Sequence, residues 1–233
     1  MIICSQNLYG LVFFDDFEPV NYFFTGTHAN GIAYKDGYIY LADYNSIQKI
    51  KDFKIVETIN GKGWDNIHTL FFDGNDMLIA STSNNRAYRN EELILQFPQD
   101  HYHNSLIPYD GGYVIGLRNP KVVLLYDKKE GKVVKEIRLP FLHNMHSATH
   151  YKDDIFLVSD GDGVVEFDID GKPIKKSPHM NWPRGIKVVD EYAYVVDRNM
   201  LYEWDVENNV ITRQVRNPIQ ESLFGAFFDL VIV

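Results

Sequence analysis

The chain has almost no cysteine, no long apolar run and no recurrent helical spacing, and each absence narrows what it is. Cys4 is the single cysteine among 233 residues, so an internal disulfide and a cysteine-based metal cluster are both excluded. No apolar stretch approaches the roughly 20 residues that a spanning helix requires. The N-terminus has no basic stretch ahead of an apolar one and does not read as a signal peptide, so a cytoplasmic protein is expected. No segment is low in complexity or rich in Pro and Ser. That leaves no linker and, with the repeat below, points to one domain over residues 1–233. The fingerprints G-x-S-x-G, phosphate loop, dinucleotide turn and H-E-x-x-H are all missing. The formal net charge of −9 argues against nucleic acid or an anionic membrane as the main partner, and a small molecule is expected instead.

What the chain does have is a repeat. Thr27 to Ile59 holds four short apolar runs: Gly31–Tyr34, Tyr38–Ala42, Ile47–Ile50 and Ile55–Ile59. Runs rich in β-branched and aromatic residues, separated by Gly, Asp and Asn, read as strands joined by tight turns. Four in so short a span make one meandering antiparallel sheet. The pattern returns: Gly31-Ile32 falls on Gly185-Ile186, Asp43 on Asp160 and Asp197, Ala42-Asp43 on Ala80-Ser81, and Tyr38 on Tyr113 and Tyr192. Units starting about 37 to 42 residues apart have the period of propeller blades. The two chain ends supply a sixth unit. Residues 222–233 look like a first strand and the start of a second, and residues 1–24 like the rest, with Cys4-Ser5 on Ala42-Asp43. Val231–Val233 and Met1–Ile3 compete for the second-strand position. The prediction is an all-β, six-bladed β-propeller of four-stranded antiparallel blades, closed by N- and C-terminal strands sharing one blade, so that no sheet edge is left free. The 15 Tyr and 15 Phe are expected to fill the wedges between blades.

In such a ring the first strand of each blade lines the channel. The loops before that strand and between the second and third open on the same face. Reading that position gives His28, His68, His103 and His146 in four successive blades, then Arg184, then Ser222-Leu223-Phe224. His101, His143, His150 and His179 lie off the repeat. Imidazoles grouped around an axis suit a divalent metal, Zn, Mn or Fe. Strict register places His28 with His103, while His68 falls two residues later and His146 one. The alternative is scaffold: a His before the first strand bonded to an Asp at the second turn, as His28 with Asp43 or His146 with Asp160. Ser81 and Arg118 stand at that turn in the other two histidine blades. Arg184, Arg118, Arg198 and Arg86 are cations near one face of an acidic chain, suited to a carboxylate or phosphate. Surface pairing is expected for Arg86 and Arg198, and a substrate role for Arg184 and Arg118. Asp43, Asp160 and Asp197, at one repeat position, read as turn formers rather than paired catalytic carboxylates.

His28-Ala29-Asn30-Gly31, His146-Ser147 and Arg184-Gly185-Ile186 resemble, in that order, the H-x-N-G, H-S and R-G-[LI] elements of the uncharacterised DUF4915-type bacterial propellers. Met145 stands where that pattern has proline. The resemblance implies a propeller with these residues, Asn30 included, at a site, and supplies no reaction. More distantly the chain is similar to the six-bladed amidating-lyase and streptogramin-lyase propellers, which use histidines near the channel, with zinc in the former. The expectation is a metal-dependent lyase or hydrolase acting on a small anionic substrate. His28, His68, His103 and His146 would hold the metal, Arg184, Arg118 and Asn30 the substrate, and Tyr44 would serve with Arg184 in the chemistry. The alternative is a non-catalytic ligand- or protein-binding propeller.

Overall fold

The computed structural model describes residues 1–6, 10–26, 28–219 and 227–233. These form six four-stranded antiparallel sheets, each a blade, with no helix among them. In chain order, blades 1 to 5 begin with the inner strands Ile32–Lys35, Ile67–Asp73, His103–Tyr109, Ala148–Lys152 and Gly185–Val189. In blade 1 the remaining strands are Tyr38–Ala42, Ser46–Lys51 and Lys54–Asn60, close to the apolar runs of the sequence. The turn into the second strand carries Asp36 (φ 51°) and Gly37 (φ 79°), the left-handed pair that a two-residue hairpin needs.

Blade 6 joins the two ends. Phe227–Ile232 is its inner strand, paired with Ile2–Gln6, and Gly10–Asp15 and Glu18–Phe24 complete it. The competition for the second-strand position is thereby resolved. The C-terminal segment supplies the inner strand alone and starts no second one, and Met1–Ile3 lead into the second strand. The reason is register: Ile2 pairs Ile232 and Cys4 pairs Leu230, so the whole of the last strand is used as partner. Ser222-Leu223-Phe224 lie outside the described residues.

The core is six apolar layers, one between each pair of adjacent blades. Alternation explains why the middle strands read as continuous apolar runs. Val114 faces blade 4, packing with Phe156 and Val158, whereas its neighbour Ile115 faces blade 2, packing with Leu78 and Ala80. Both faces of these strands are buried, as period-2 geometry requires of a sheet sandwiched between two others. Phe14, Tyr113, Phe156, Phe167, Phe227 and Trp204 are fully buried in these wedges. Each contributes about 1.5–3 kcal/mol by leaving water. Outer strands instead alternate, as in Val210–Arg216.

Candidate functional site

The inner strands bring one residue from each blade to the same height at one mouth of the channel. In blade 1 the Asn30 amide donates to the Ala42 carbonyl (3.0 Å), in blade 4 that of His146 to Ser159 (3.4 Å), and in blade 5 that of Arg184 to Val196 (2.8 Å). In the other three blades the equivalent place is taken by a residue at which the strand register slips by one. These are His68 between Ile67 and Thr69, Asn104 between His103 and Ser105, and Phe228 between Phe227 and Asp229. Such bulges re-aim a side chain without breaking the sheet. The ring is therefore Asn30, His68, Asn104, His146, Arg184 and Phe228.

Its members touch. The His68 imidazole stacks on that of His146, centroids 6.1 Å apart and planes inclined by 20°. Phe228 meets His68 at 5.1 Å and His146 at 5.4 Å. The Arg184 guanidinium lies 5.0 Å from the Phe228 ring centre, a cation–π distance. His68 Nδ1 lies 3.3 Å from Asn104 Oδ1, and Asn30 Nδ2 donates to Asn66 Oδ1 at 3.3 Å. Above the ring opens a cleft of about 360 Å³, walled also by His28, Tyr44, Arg118 and Trp182. His28 packs edge-on against Tyr44 at 5.2 Å. Below it, buried Asp229 accepts from the Ile32 amide (3.3 Å) and faces Lys187 Nζ at 3.9 Å. Burial holds the Asp229 carboxyl above its usual range, with Lys187 acting the other way.

The electrostatics of the cleft are one-sided. Among the described residues it is lined by two guanidinium groups and no carboxylate. Among the described residues no acid lies within 4 Å of Arg184 or Arg118. Arg184 Nε is buried without a hydrogen-bond partner. Burial first, then the charges of Arg198 and Arg118, lower its affinity for a proton, yet a guanidinium stays ionised. Burial likewise pushes His68 down to about 4, with Arg184 and Arg118 adding to the effect and the Asn104 contact opposing it. His146 is driven down by burial, then by His68 and the two arginines. Both imidazoles are neutral at pH 7.

The predicted residues divide accordingly. His28, His68, His146, Arg184, Arg118, Asn30 and Tyr44 line one cleft. His103 does not: it is fully buried in the wedge, 5.1 Å from Phe97, and burial lowers it to about 4. Its register explains this, since the ring position in blade 3 belongs to Asn104, one residue on. Asp160 accepts from the amides of His143 and Asn144 (2.8 and 2.7 Å), fixing the loop that carries His146 by its backbone. Asp197 does the same in blade 5, accepting from Asn181 (2.8 Å), Asn199 (2.7 Å) and Met200 (2.8 Å). Arg86 Nε donates to Gln96 Oε1 (2.5 Å), away from the cleft. Asn104, Asn66, Trp182 and Phe228 were not expected at the site. Of these, Asn104 had a signal: a constant step back from Ala42, Ala80, Gly116 and Val196 reaches Asn30, His68, Asn104 and Arg184. Among the described residues no group of three or more His, Cys, Asp or Glu side chains has the arrangement of a metal-ligand set.

No family model matches the chain, and no curated protein matches it. Solved structures do. A protein of unknown function from Bacteroides caccae is 13% identical over 98% of this chain and 97% of its own, with a TM-score of 0.73. A chain of the nidogen/laminin complex is 10% identical over 98% and 96%, also at 0.73. The computationally designed protein Ika8 is 10% identical over 99% of this chain and 74% of its own, at 0.59. At such identities the likeness is one of architecture, and with the six closed blades it shows a six-bladed β-propeller.

Proposed function

We propose that the channel mouth binds a small anion, a carboxylate or phosphate, between Arg184 and Arg118. The observation that carries this is the buried Nε of Arg184, which among the described residues has no hydrogen-bond partner and shares its cleft with no acid. A buried cation without a counter-charge is costly, and a ligand that supplies the charge recovers that cost. A carboxylate or phosphate also matches the guanidinium fork. His68 and His146, neutral and stacked, are poised to accept a proton from such a ligand, and Tyr44 on the rim offers a hydroxyl. Acid–base chemistry of the lyase or hydrolase type fits these groups. The alternative of binding without turnover uses the same contacts. The test is calorimetric titration with phosphate and acetate, first at low salt. Saturable binding that Arg184→Gln abolishes supports the reading; binding unchanged in that variant overturns it.

The metal-dependent form of this reading rests on His28, His68 and His146 lining one cleft. Zn, Mn or Fe would polarise a bound oxygen there. Two guanidinium groups beside the imidazoles and the remoteness of His103 weigh against a resident dication, and the anion reading needs none. Elemental analysis of untagged protein decides: near-stoichiometric metal, lost on joint replacement of His28 and His68, restores it. The resemblance to DUF4915-type propellers belongs to the same proposal, because His28, Asn30, His146 and Arg184 meet in the cleft. Among the described residues no helix is long and apolar enough to cross a membrane. A cytoplasmic location fits the single, buried Cys4.

A further inference from the structure

Trp182 stands two residues before Arg184 and walls the same cleft. Its backbone φ is 63°, the left-handed region that bulky residues rarely adopt, and its side chain is 39% exposed. The strained turn is held from both sides: the Trp182 amide donates to the Gly161 carbonyl (3.2 Å), and that of Asn181 to Asp197 Oδ2 (2.8 Å). An exposed indole fixed in a costly conformation, beside a guanidinium that no described acid approaches within 4 Å, is placed for contact with a ligand. A second observation extends the site. Arg118 also lines an adjoining hollow of about 410 Å³, whose other walls are Tyr102, Asn119, His143 and Asn144. Tyr102 is 53% exposed. Neither hollow is sized for a bare phosphate or acetate. Both combine an exposed aromatic with amides and an imidazole.

We infer that the ligand is an acidic sugar, a sugar acid or sugar phosphate. Its charged group sits on Arg184 and Arg118, and its ring lies with the C–H face on Trp182. This rests on the anion reading above and deepens it. A sugar ring offers an apolar face to an indole while its hydroxyls meet Asn and His side chains. A flat aromatic acid would cover those amides and imidazoles without bonding them, which a buried polar wall penalises.

Trp182 is also the reporter, because Trp64 and Trp204 are 4% and 0% exposed. The experiment is a fluorescence and calorimetric titration with D-glucuronate, D-galacturonate and glucose 6-phosphate, beside phosphate, acetate and glucose. At least one acidic sugar is expected to change the emission saturably and to bind at least tenfold more tightly than phosphate, acetate or glucose. Trp182→Ala should erase that tenfold advantage. Trp182→Gly should raise the melting temperature, since glycine relieves the positive φ, yet bind acidic sugars as weakly as the alanine variant. Phosphate binding with no preference for acidic sugars, or a preference unmoved in both Trp182 variants, overturns the inference and leaves the anion reading standing. Glucose binding as tightly as the acidic sugars overturns it too. If no anion binds at all, both fall.

Discussion

The imidazole of His68 lies on that of His146, ring centres 6.1 Å apart, although the two residues come from blades separated by a third. The intervening blade contributes Asn104, whose Oδ1 lies 3.3 Å from His68 Nδ1. With that nitrogen as the donor, Nε2 of His68 carries a lone pair, and the pair shares a site with two guanidinium groups.

This arrangement predicts an acid-labile protein. His68 and His103 titrate near 4 when folded against 6.5 unfolded, and His146 is lowered as well. Between those values the unfolded chain binds more protons than the folded one. Stability is therefore full above about pH 6.5 and falls as pH drops towards 4. For the fully buried His103 the loss is about 3 kcal/mol, at about 1.4 kcal/mol per pH unit. Denaturant unfolding at pH 7 and 4.5 checks this; His103→Gln should flatten the profile. A stability independent of pH over that range contradicts it.

A bound anion should raise the imidazole pKa values of His68 and His146, so anion affinity should increase as pH falls from 6 to 5. Imidazole carbon and nitrogen resonances followed with and without phosphate give the direct readout. An upward shift at His68 with none at His103, which faces the wedge, is the expected pattern. Equal shifts at both would place the anion elsewhere.

At Gly31 blades 1 and 2 approach closely. A Cβ there would stand 2.8 Å from the Leu70 nitrogen and 2.9 Å from the His68 oxygen, both backbone atoms. Gly31→Ala should cost about 1–3 kcal/mol through forced strand separation and should move the His68 resonances. An unchanged melting temperature would show that the inner strands can part freely.

Asp197 is a saturated acceptor. Besides the amides of Asn181, Asn199 and Met200 it takes the Tyr202 hydroxyl at 2.7 Å, and the carboxylate is fully buried. Asp197→Asn turns one acceptor into a donor facing donors and should cost about 2–4 kcal/mol. It should also loosen the turn that carries Trp182 and Arg184, weakening anion binding. Tyr202→Phe removes one bond only and should cost about 1 kcal/mol. A larger loss in the tyrosine variant than in the aspartate variant would refute this ordering.

The ring closure gives the last prediction. The Met1 nitrogen lies 3.2 Å from the Val233 carbonyl, and the Val233 amide 3.0 Å from the Met1 carbonyl. Removal of residues 227–233 should abolish cooperative unfolding, because the edge of Ile2–Gln6 is uncovered and the core residues Phe227 and Leu230 are lost. A permuted chain, with the termini joined through a short Gly/Ser linker and opened at the Asp52-Phe53 turn, should keep a melting temperature within a few degrees. Thermal denaturation compares the two; a permutant as unstable as the truncation would contradict this.

Much of the architecture was written in the sequence. Apolar runs of strand length, punctuated by Asp-Gly and Asn turns, specify blades locally because each strand and hairpin is a short-range decision. Their period specifies the ring, since one blade cannot bury both its faces alone. Asp197 reads as a turn former and serves as one, whereas Asp160 ties down the loop before its blade's inner strand. The cations Arg184 and Arg118 were also legible, because the repeat puts first-strand entries and second-to-third-strand loops on one face.

Which residue of each inner strand points at the axis follows instead from the packing of the blades. A one-residue slip turns a side chain from channel to wedge. The bulges that set this at His68, Asn104 and Phe228 leave no mark in composition. That is why His103 reads as a channel residue in sequence and lies beside Phe97 in space, while Asn104 joins the ring. Trp182 likewise owes its place to backbone bonds from Gly161 and Asp197, residues that no local pattern couples to it. Strands, turns and period follow from short-range preferences along the chain, and net charge from its composition. Register, the burial of Arg184 Nε without a hydrogen-bond partner among the described residues and the stacking of His68 on His146 depend on contacts between blades, and so were settled only when the ring closed.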